Sequence, residues 1–518
     1  MHTLPSILSL GAARDLHAPA VTDDAGTLDW AAFTARVAGA AAQLRRAGAG
    51  PGAPVALWMP NSADYLATIF AVARLGALAI HVNTRYRAAE VGMLLQRSRA
   101  AVLVTEWGFA PVDFPSVLTS VPAEDRASLR QVIGRHLPGG ATSIAGVPVQ
   151  PLDPQGDAPG TATPEAPCLT FTTSGTTSGP KLVLHVQRSI AGHAIQVMRA
   201  LGTDQPGATL LAAVPLCGTF GNAAAMAAVA GGAHIVCMDR FDGAEAVRLI
   251  RRHRITHSVG GDDMMARIIA AAGEQRLTTM RLFGFAAFHS RAPATAAAAA
   301  AAGLEPAGVY GSSEVQALFA VSHGANRLCG GGRLTHAGAE VSVRNPETGA
   351  VLPPGQSGEL CFRAPSLFAG YLGNDAATAK ATTADGFFRS GDLGRIEGDS
   401  FVYEARLGDT LRLGGFMVNP EEIEGFLVSL PGVAGAQVVA ARTGGEAVPV
   451  AFVTARPGAH LDEAKLVAQC RQQIARFKVP ARIVTVEAFP TTDSPNGPKI
   501  QRVRLREMAD ALLQEPAA

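Results

Sequence analysis

The chain has 518 residues, more than a single hydrophobic core usually serves, so at least two domains are expected. Hydrophobic residues make up 48% of the sequence and charged residues 17%, a globular composition that excludes a disordered chain. Lys and Arg number 44 against 43 Asp and Glu, and this lack of a basic excess argues against nucleic acid as a partner.

Cysteine usage and hydropathy predict a cytoplasmic protein without stable membrane insertion. The six cysteines contain no CxxC pair and have no histidine at metal-ligand spacing, so we expect buried thiols in a reducing compartment. Residues 1–20 have an apolar patch but no basic leader, which is not typical of a signal peptide. The longest apolar run, residues 65–82, contains Arg74 and predicts a buried helix and a strand, not a membrane span.

The first third of the chain alternates between predicted strands and helices. Residues 28–48 have helical spacing, and Asn61 is a plausible N-cap for the helix that follows the strand PVALW at 54–58. Further elements are predicted as a strand at 77–82, a helix at 88–98 and a strand at 101–105. This order predicts a parallel sheet with helices packed on it. Residues 137–166, rich in Gly, Pro and Asp, are predicted to be a loop.

The segment TTSGTTSGPK at 172–181 follows a short apolar run and combines hydroxyl side chains, glycines and a lysine. Glycines expose backbone N–H groups, hydroxyls add donors and Lys181 adds a positive charge, which together suit a loop that holds a polyphosphate. The P-loop spacing GxxxxGK[ST] is absent, since Leu182 follows the lysine. Taken alone, the segment fits a flexible polar surface loop equally well.

A second alternation of predicted strands and helices follows, and after it the sequence pattern predicts β-hairpins. The predicted elements are strands at 209–214 and 234–238, helices at 222–230 and 244–254, and an alanine-rich helix at 293–303 with Ser290 as a cap and Gly303 as its stop. Hairpins are predicted from about residue 338. From residue 419 the order helix, strand, strand, helix, strand predicts a separate α+β domain. We therefore predict domains at 1–407 and 408–518.

Four segments resemble, in the same order along the chain, motifs of the adenylate-forming superfamily, which includes acyl-CoA synthetases, luciferases and peptide-synthetase adenylation domains. The similar motifs are TSGTTGxPK for residues 172–181, YGxTE for YGSSE at 310–314, YRTGDL for FRSGDL at 388–393, and GKIxR for residues 495–506. The resemblance implies an α/β fold in which a large N-terminal domain has two βα sheet subdomains and a β-rich subdomain. It also implies a small, mobile α+β C-terminal domain.

The resemblance assigns roles to individual residues. It implies that Tyr310 stacks on adenine, that Ser313 holds the α-phosphate, that Glu314 binds Mg²⁺, and that Lys499 is a mobile catalytic lysine. Asp392 would bind the ribose hydroxyls, Arg406 would make a second nucleotide contact, and Gly415 would let the backbone approach the pantetheine arm of CoA. The remaining nucleotide contacts are Thr173, Ser174, Gly175, Thr176, Thr177, Lys181 and Gly311.

The sequence departs from the family pattern at several of these motifs. Ser178 replaces the glycine after TSGTT, Pro498 is inserted before Lys499, and Gly408 occupies the hinge position, which is commonly acidic or lysine. Lys499 also belongs to a run of basic residues, so a place in a solvated basic tail is the alternative to catalysis.

The predicted acid pocket departs further. The family's PxFHxxG segment is PLCGTFG here, so that Gly218 stands for the usual histidine and Phe220 follows. Asp262 and Asp263 in GGDDMM are explained most simply by helix capping, with a place in the pocket as the alternative, and Phe285 stands where glycine is frequent. Space at Gly218 and an aromatic wall at Phe285 favour aryl or alicyclic acids over long flexible chains.

The sequence thus predicts an acid–CoA ligase that forms AMP, with ATP, Mg²⁺ and CoA, acting on an aryl, alicyclic or medium-chain acid. One alternative is the same adenylation chemistry with an amine or a carrier protein as acceptor. It includes activation of nitrite for diazotisation of an aryl amine. A non-catalytic nucleotide sensor is a second alternative, disfavoured because Lys499, Glu314 and Asp392 are present together. The oligomeric state, with a homodimer among the options, stays open.

Overall fold

The structure is a computed structural model. It describes residues 2–173, 181–286, 292–322, 324, 327, 330–407, 411–413, 416–418, 420–443, 446–474, 478–494 and 497–514. At some of these positions the backbone alone is described, and they are 292–293, 412, 416–417, 422, 442–443, 446, 493–494, 497–499 and 514. Ser174, Gly175, Thr176, Thr177, Ser178, Ser290, Gly408 and Gly415 lie outside the described residues.

The chain divides into two compact units. The larger unit comprises residues 1–286, 295–341 and 362–389, and the smaller comprises residues 287–294, 342–361 and 390–518. The predicted boundary at 407/408 stays a prediction.

Helices occur throughout the chain. In chain order, those in the described segments are α1 (Leu4–Ala12), α2 (Trp30–Arg46), α3 (Ala63–Arg74), α4 (Ala88–Ser98), α5 (Phe114–Thr119), α6 (Gln187–Leu201), α7 (Thr219–Gly231), α8 (Gly243–Arg252), α9 (Asp262–Ala272), α10 (Ala292–Ala301), α11 (Asp375–Lys380), α12 (Pro420–Ser429), α13 (Glu463–Gln473) and α14 (Arg502–Gln514). Among them, none is both long and apolar enough to cross a membrane.

Strands of the larger unit alternate with these helices. They are β1 (Pro19–Asp23), β2 (Gly26–Asp29), β3 (Pro54–Trp58), β4 (Leu78–His81), β5 (Val102–Glu106), β6 (Gln131–Arg135), β7 (Ser143–Ile144), β8 (Val147–Pro151), β9 (Pro167–Thr172), β10 (Leu182–Val186), β11 (Thr209–Ala212), β12 (His234–Cys237), β13 (His257–Gly261), β14 (Leu282–Ala286), β15 (Pro306–Ser312), β16 (Gln316–Val321) and β17 (Gly331–Leu334).

The strands that follow belong mostly to the smaller unit, except β20. They are β18 (Glu340–Arg344), β19 (Gly358–Arg363), β20 (Gly370–Tyr371), β21 (Phe388–Glu397), β22 (Ser400–Arg406), β23 (Leu411–Leu413), β24 (Phe416–Val418), β25 (Val433–Thr443), β26 (Glu446–Ala455), β27 (Arg482–Thr485), β28 (Thr491–Ser494) and β29 (Gly497–Ile500).

The first sheet of the larger unit has the strand order β20-β10-β9-β4-β3-β5-β6-β8-β7. Neighbouring strands are parallel along the series β9-β4-β3-β5-β6-β8. Strand β10 runs antiparallel to β9, β20 antiparallel to β10, and β7 antiparallel to β8. The central strands are apolar and almost entirely buried, as expected for parallel strands with helices on both faces. Antiparallel β9 and β10 place the two ends of the segment 173–181 side by side.

The second sheet of the larger unit runs in the order β17-β16-β15-β14-β13-β11-β12-β1-β2. Its middle strands, from β15 to β1, are parallel. Strand β11 has β12 on one side and β13 on the other, so the chain order reverses there. Ligands of open α/β sheets bind outside the carboxyl ends of the strands at such a reversal, which marks the crevice beyond β11 and β13.

The smaller unit contains a four-strand arrangement in the order β18-β19-β21-β22 and a sheet in the order β25-β26-β27. Helix α12 and the strands β25 and β26 share a hydrophobic core. Helix α14 packs on β25 through Leu505 and Ala509. The buried carboxylate of Glu424 binds Arg502 at 3.1 Å, and this ion pair attaches the first turn of α14 to α12.

The predicted α/β class, with two βα sheets in a large N-terminal part and a smaller α+β C-terminal part, is confirmed. Mobility of the C-terminal part stays a prediction. Two local predictions about the first sheet and its helices were wrong. Ser62, not Asn61, caps helix α3, and its hydroxyl accepts from the N–H of Tyr65. The predicted loop at 137–166 contains β7 and β8, with proline at the second and last residues of β8.

Candidate active site

The ends of the hydroxyl-rich segment are held together by the β9–β10 pair. Leu182 lies opposite Thr172, and the N–H of Thr173 donates to the carbonyl of Lys181 at 3.0 Å. Lys181 is therefore fixed at the start of β10. The predicted phosphate contacts Ser174, Gly175, Thr176 and Thr177 lie between these ends, outside the described residues.

The motif YGSSE occupies the end of β15 and its turn into β16. Tyr310 is 8% exposed and its ring centroid lies 5.4 Å from that of Phe362, in a tilted contact. A Cβ atom at Gly311 would lie 2.5 Å from the Cα of Ala317 and 2.5 Å from the carbonyl oxygen of Gln316. The motif therefore requires glycine at its second position, because β16 passes directly over it.

Ser313 is held by two residues from neighbouring elements. Its hydroxyl accepts a hydrogen bond from the hydroxyl of Thr219, the first residue of α7, at 3.2 Å. Its carbonyl accepts from Nε2 of His185 on β10 at 2.8 Å. Burial lowers the pKa of His185 to about 4, so the imidazole is neutral at pH 7 and its proton must be on Nε2 to make this bond.

Glu314 is fixed through Tyr371 on β20. The Tyr371 hydroxyl donates to Oε1 of Glu314 at 2.9 Å, and the N–H of Phe368 donates to the Glu314 carbonyl at 2.8 Å. The Lys181 ammonium lies 4.5 Å from the Tyr371 ring centroid, over its face, as in a cation–π contact. Lys181, Tyr371, Glu314 and Ser313 are thus close together, and a cation, a carboxylate and hydroxyls converge as a metal–polyphosphate requires.

The donor set fits a magnesium ion that arrives with a nucleotide. In the described part of the chain, no three His, Cys, Asp or Glu residues cluster as a metal site would require. Glu314 is instead a single carboxylate next in sequence to Ser313, and its main-chain N–H donates to the Ser312 hydroxyl at 3.2 Å. Mg²⁺ is commonly bound by one or two carboxylates together with substrate phosphates, so Glu314 would supply the protein ligand.

Most of the predicted acid-binding residues lie just after the carboxyl ends of β11 and β13, at the starts of α7 and α9. Gly218 is the N-cap of α7, and Phe220 in its first turn is 7% exposed. Asp262 and Asp263 begin α9, with Asp262 3% exposed, and Gly261 is the N-cap. The interpretation of Asp262 and Asp263 as helix caps is therefore wrong, although both lie in the first turn, where the helix dipole favours negative charge.

Phe285 lies on β14 next to Gly260 of β13 and is 1% exposed. Its ring therefore belongs to the packed core in this structure, beside the carboxyl end of the sheet. A contact with the acid stays a prediction.

The segment before α7 is held by a residue whose role the sequence did not reveal. The side-chain N–H₂ of Asn61 donates to the carbonyls of Ala212 and Val214 at 2.9 and 3.0 Å. Its Oδ1 accepts from the N–H of Leu216 at 2.8 Å. Asn61 is 6% exposed, so these bonds fix the exit from β11 that leads to Gly218.

Asp392 and Arg406 of the smaller unit lie opposite each other on β21 and β22 and form an ion pair. The Arg406 guanidinium also donates to the carbonyl of Ser390 at 3.0 Å, and the N–H of Asp392 donates to the Ser390 hydroxyl at 3.0 Å. Asp392 is 5% exposed. Arg406 therefore orients the carboxylate predicted to bind ribose, and a nucleotide contact of either residue stays a prediction.

Lys499 lies on β29 opposite Thr492 of β28, in a two-stranded hairpin. Arg502, three residues further on, binds Glu424 and the carbonyl of Val438. The hairpin is thus attached to the core of the smaller unit just beyond Lys499. The side chain of Lys499 is not described, and its catalytic role stays a prediction. The role of Gly415 also stays a prediction.

The chain belongs to the AMP-binding enzyme family, whose model matches residues 10–372, and the AMP-binding enzyme C-terminal domain matches residues 422–495. Membership of the adenylate-forming superfamily is thereby confirmed.

Among curated proteins, the chain is 31% identical to the 2-succinylbenzoate–CoA ligase of Geobacillus kaustophilus, over 95% of each chain. It is 30% identical to the fatty acid–[acyl-carrier-protein] ligase ScoC of Streptomyces coeruleorubidus, over 98% of this chain and 96% of that one. The crystal structure of ATP-bound MatB from Rhodopseudomonas palustris superposes with a TM-score of 0.82 at 23% identity, covering 98% and 100% of the two chains. That structural likeness supports the fold.

Proposed function

We propose that the protein uses ATP to activate a carboxylic acid as an acyl-adenylate and then transfers the acyl group to CoA. The observation that carries the proposal is the convergence of Lys181, Tyr371, Glu314 and Ser313 in a chain of the AMP-binding enzyme family. A nucleotide sensor would need to bind ATP but would not need Lys499 as well.

In the first half-reaction the acid's carboxylate oxygen attacks the α-phosphorus of ATP, and the bond to pyrophosphate breaks. Lys181 is suited to the polyphosphate charge, and Ser313 is suited to hydrogen-bond the α-phosphate. Mg²⁺ held by Glu314 and the phosphates would neutralise charge that builds up on them. In our proposal Lys499 contributes a further positive charge beside the reacting oxygens.

In the second half-reaction the CoA thiolate attacks the acyl carbonyl, and AMP leaves with the electrons of the broken C–O bond. Activation is required because a free carboxylate is a poor electrophile. The relatives named for CoA and for an acyl carrier protein as acceptors support a thiol acceptor in general. CoA is our first choice and a carrier protein thiol the second.

For the acid, we propose an aryl or alicyclic ring that enters the crevice beyond β11 and β13. Gly218 leaves room where a side chain would otherwise lie, and the buried Asp262 borders the same edge of the sheet. The relative named for 2-succinylbenzoate supports a ring, whereas the relative named for fatty acids supports a chain. An amino group on the ring would be favoured if Asp262 or Asp263 faces it.

Pyrophosphate release from ATP tests this proposal. The full-length protein would be assayed with benzoate-type, alicyclic, medium-chain and long-chain acids, with and without CoA, a phosphopantetheinylated carrier protein or an amine. We expect acid-dependent pyrophosphate release, a higher kcat/KM for ring acids than for palmitate, and multiple turnovers with CoA. Release that no acid stimulates would contradict adenylation, and faster turnover of palmitate would contradict the ring preference. Turnover with a carrier protein or an amine but not with CoA would show that CoA is not the acceptor.

A further inference from the structure

Tyr371 connects two residues of the candidate nucleotide site that are far apart in sequence. Its hydroxyl donates to the Glu314 carboxylate at 2.9 Å, and the Lys181 ammonium lies over its ring. It comes from a two-residue strand that carries none of the motifs described above.

The backbone around Tyr371 is fixed on both sides. Tyr371 lies opposite Val183 in the β10–β20 pair, two residues beyond Lys181. Its N–H donates to the Thr378 hydroxyl of α11 at 2.9 Å. Gly370 before it has a φ of +143°, a conformation in which a side chain is strained.

The same short segment also holds the turn that carries Glu314. The N–H of Phe368 donates to the Glu314 carbonyl, while the N–H groups of Ala369 and Leu372 donate to the carbonyls of Leu184 and Leu182 on β10. One segment therefore fixes both the main chain and the carboxylate of Glu314 relative to the strand of Lys181.

We propose that Tyr371 is a positioning residue for adenylation: its hydroxyl orients the Glu314 carboxylate for the divalent cation of the nucleotide, and its ring holds the Lys181 ammonium beside it. The inference rests on the proposed function and adds a residue to it. Tyr371 is 6% exposed, so water competes little for its hydroxyl, which donates to the carboxylate that we propose binds the metal.

The hydroxyl and the ring of Tyr371 should affect ATP binding differently. Tyr371→Phe removes the hydroxyl and keeps the ring, so only the metal-dependent part of ATP binding should weaken. We expect the Kd for ATP in the presence of Mg²⁺ to rise about 10–100-fold, as for other groups that orient metal ligands, with the Kd for metal-free ATP unchanged. Tyr371→Leu also removes the ring, and metal-free ATP should then bind about 2–5-fold more weakly.

Isothermal titration calorimetry of the full-length protein with ATP, with and without Mg²⁺, provides this readout without relying on turnover. Tyr65→Phe is the matched control, because it removes another buried hydroxyl, one bound to Nδ1 of His81 at 2.6 Å, without touching Glu314. It should lower the melting temperature and leave the effect of Mg²⁺ on ATP binding unchanged. In a Glu314→Ala background, Tyr371→Phe should produce no further loss of the Mg²⁺ effect.

The outcomes separate this inference from the proposed function. If the wild type binds ATP no more tightly with Mg²⁺ than without it, the Mg²⁺ role in the proposed function fails and the inference fails with it. If the wild type responds to Mg²⁺ and Tyr371→Phe responds equally, the inference alone is overturned. Equal weakening of ATP binding with and without Mg²⁺ in Tyr371→Phe would also overturn it, because it would assign the hydroxyl a merely structural role.

Discussion

At the residue scale, Asp392 illustrates how a motif residue depends on a partner that the motif does not contain. The sequence assigned Asp392 and Arg406 to separate nucleotide contacts, whereas the structure pairs them across β21 and β22. Removing the carboxylate would therefore also release Arg406. A substitution that keeps the shape of the side chain gives the clearer experiment.

We predict that Asp392→Asn weakens ATP binding by about 1.5–3 kcal/mol for each charge-assisted hydrogen bond lost with the ribose hydroxyls. Equilibrium titration with ATP measures this effect. Glu397→Gln is the control, because Glu397 also lies on β21 and binds Arg395 at the surface. An ATP Kd that is the same in Asp392→Asn and the control would remove Asp392 from the nucleotide site.

At the scale of elements, the connection from β11 to α7 depends on Asn61. We predict that Asn61→Ala lowers the free energy of unfolding by about 2–4 kcal/mol, since three hydrogen bonds to buried main-chain groups are lost. Urea unfolding measures the loss. Asn345→Ala is the control, because Asn345 bonds the N–H groups of an exposed turn and should cost less.

The same substitution should affect the acid more than the nucleotide. The connection leads to Gly218 and Phe220, so we expect KM for the acid to rise while KM for ATP changes little. Equal changes in the two KM values would show that Asn61 stabilises the fold without a particular effect on this crevice.

The hairpin that carries Lys499 gives a prediction about the two half-reactions. We expect Lys499→Ala to abolish adenylation and largely spare thioester formation from supplied acyl-AMP, because in our proposal Lys499 lies beside the reacting oxygens only in the first half-reaction. Lys465→Ala, an exposed lysine on α13, should change neither. Equal loss in both half-reactions would mean that Lys499 is structural.

The local sequence predicted strands and helices well where a single pattern, an apolar run or a helical spacing, was unambiguous. The strand at 54–58 and the helix at 88–98 were predicted with the observed bounds, because apolar runs and helical spacing there are unambiguous. The N-cap prediction for α3 was wrong because Asn61 and Ser62 are both good cap residues. The choice between them depends on the Val214 carbonyl, which accepts from the Asn61 side chain. Strand β8 was missed because its prolines suggest a loop, although proline is tolerated near sheet edges.

The site was predictable only in part, because some of its contacts depend on how distant strands pair. Motif spacing could identify Lys181, Ser313 and Glu314, since their residue types suit phosphate and metal. Tyr371 and His185 lie outside every motif, and their contacts exist only because β20 pairs with β10 and β10 packs beside the turn after β15. No local signal encodes that arrangement.

At the scale of the whole molecule, buried neutral histidines make stability depend on pH. Burial lowers the pKa of His81 to about 3 and the pKa values of three others to about 4, and these are His185, His193 and His234. The ordinary value is 6.5, so between pH 6.5 and about pH 4 the unfolded chain binds more protons than the folded one. Stability is therefore full above this window and is lost as the pH falls through it.

We predict that the free energy of unfolding falls below pH 6.5 by about 1.4 kcal/mol per pH unit for each such histidine. Urea unfolding across this range measures the slope. His193→Gln keeps a donor for the Ala317 carbonyl. It should reduce the slope by the contribution of one proton, about 1.4 kcal/mol per pH unit. His17→Gln, at a side chain that is 86% exposed, should leave it unchanged. The same slope in all three proteins would contradict this explanation.

The central claim is that the acid attacks the α-phosphorus of ATP. Turnover of an acid labelled with ¹⁸O in its carboxyl group, with ATP and CoA, followed by mass spectrometry of the nucleotide and phosphate products, tests this claim most directly. The account predicts AMP carrying one ¹⁸O atom, unlabelled pyrophosphate and no ADP, because one carboxylate oxygen stays with the α-phosphate when the thioester forms. Formation of ADP, or label in phosphate or pyrophosphate, would contradict it.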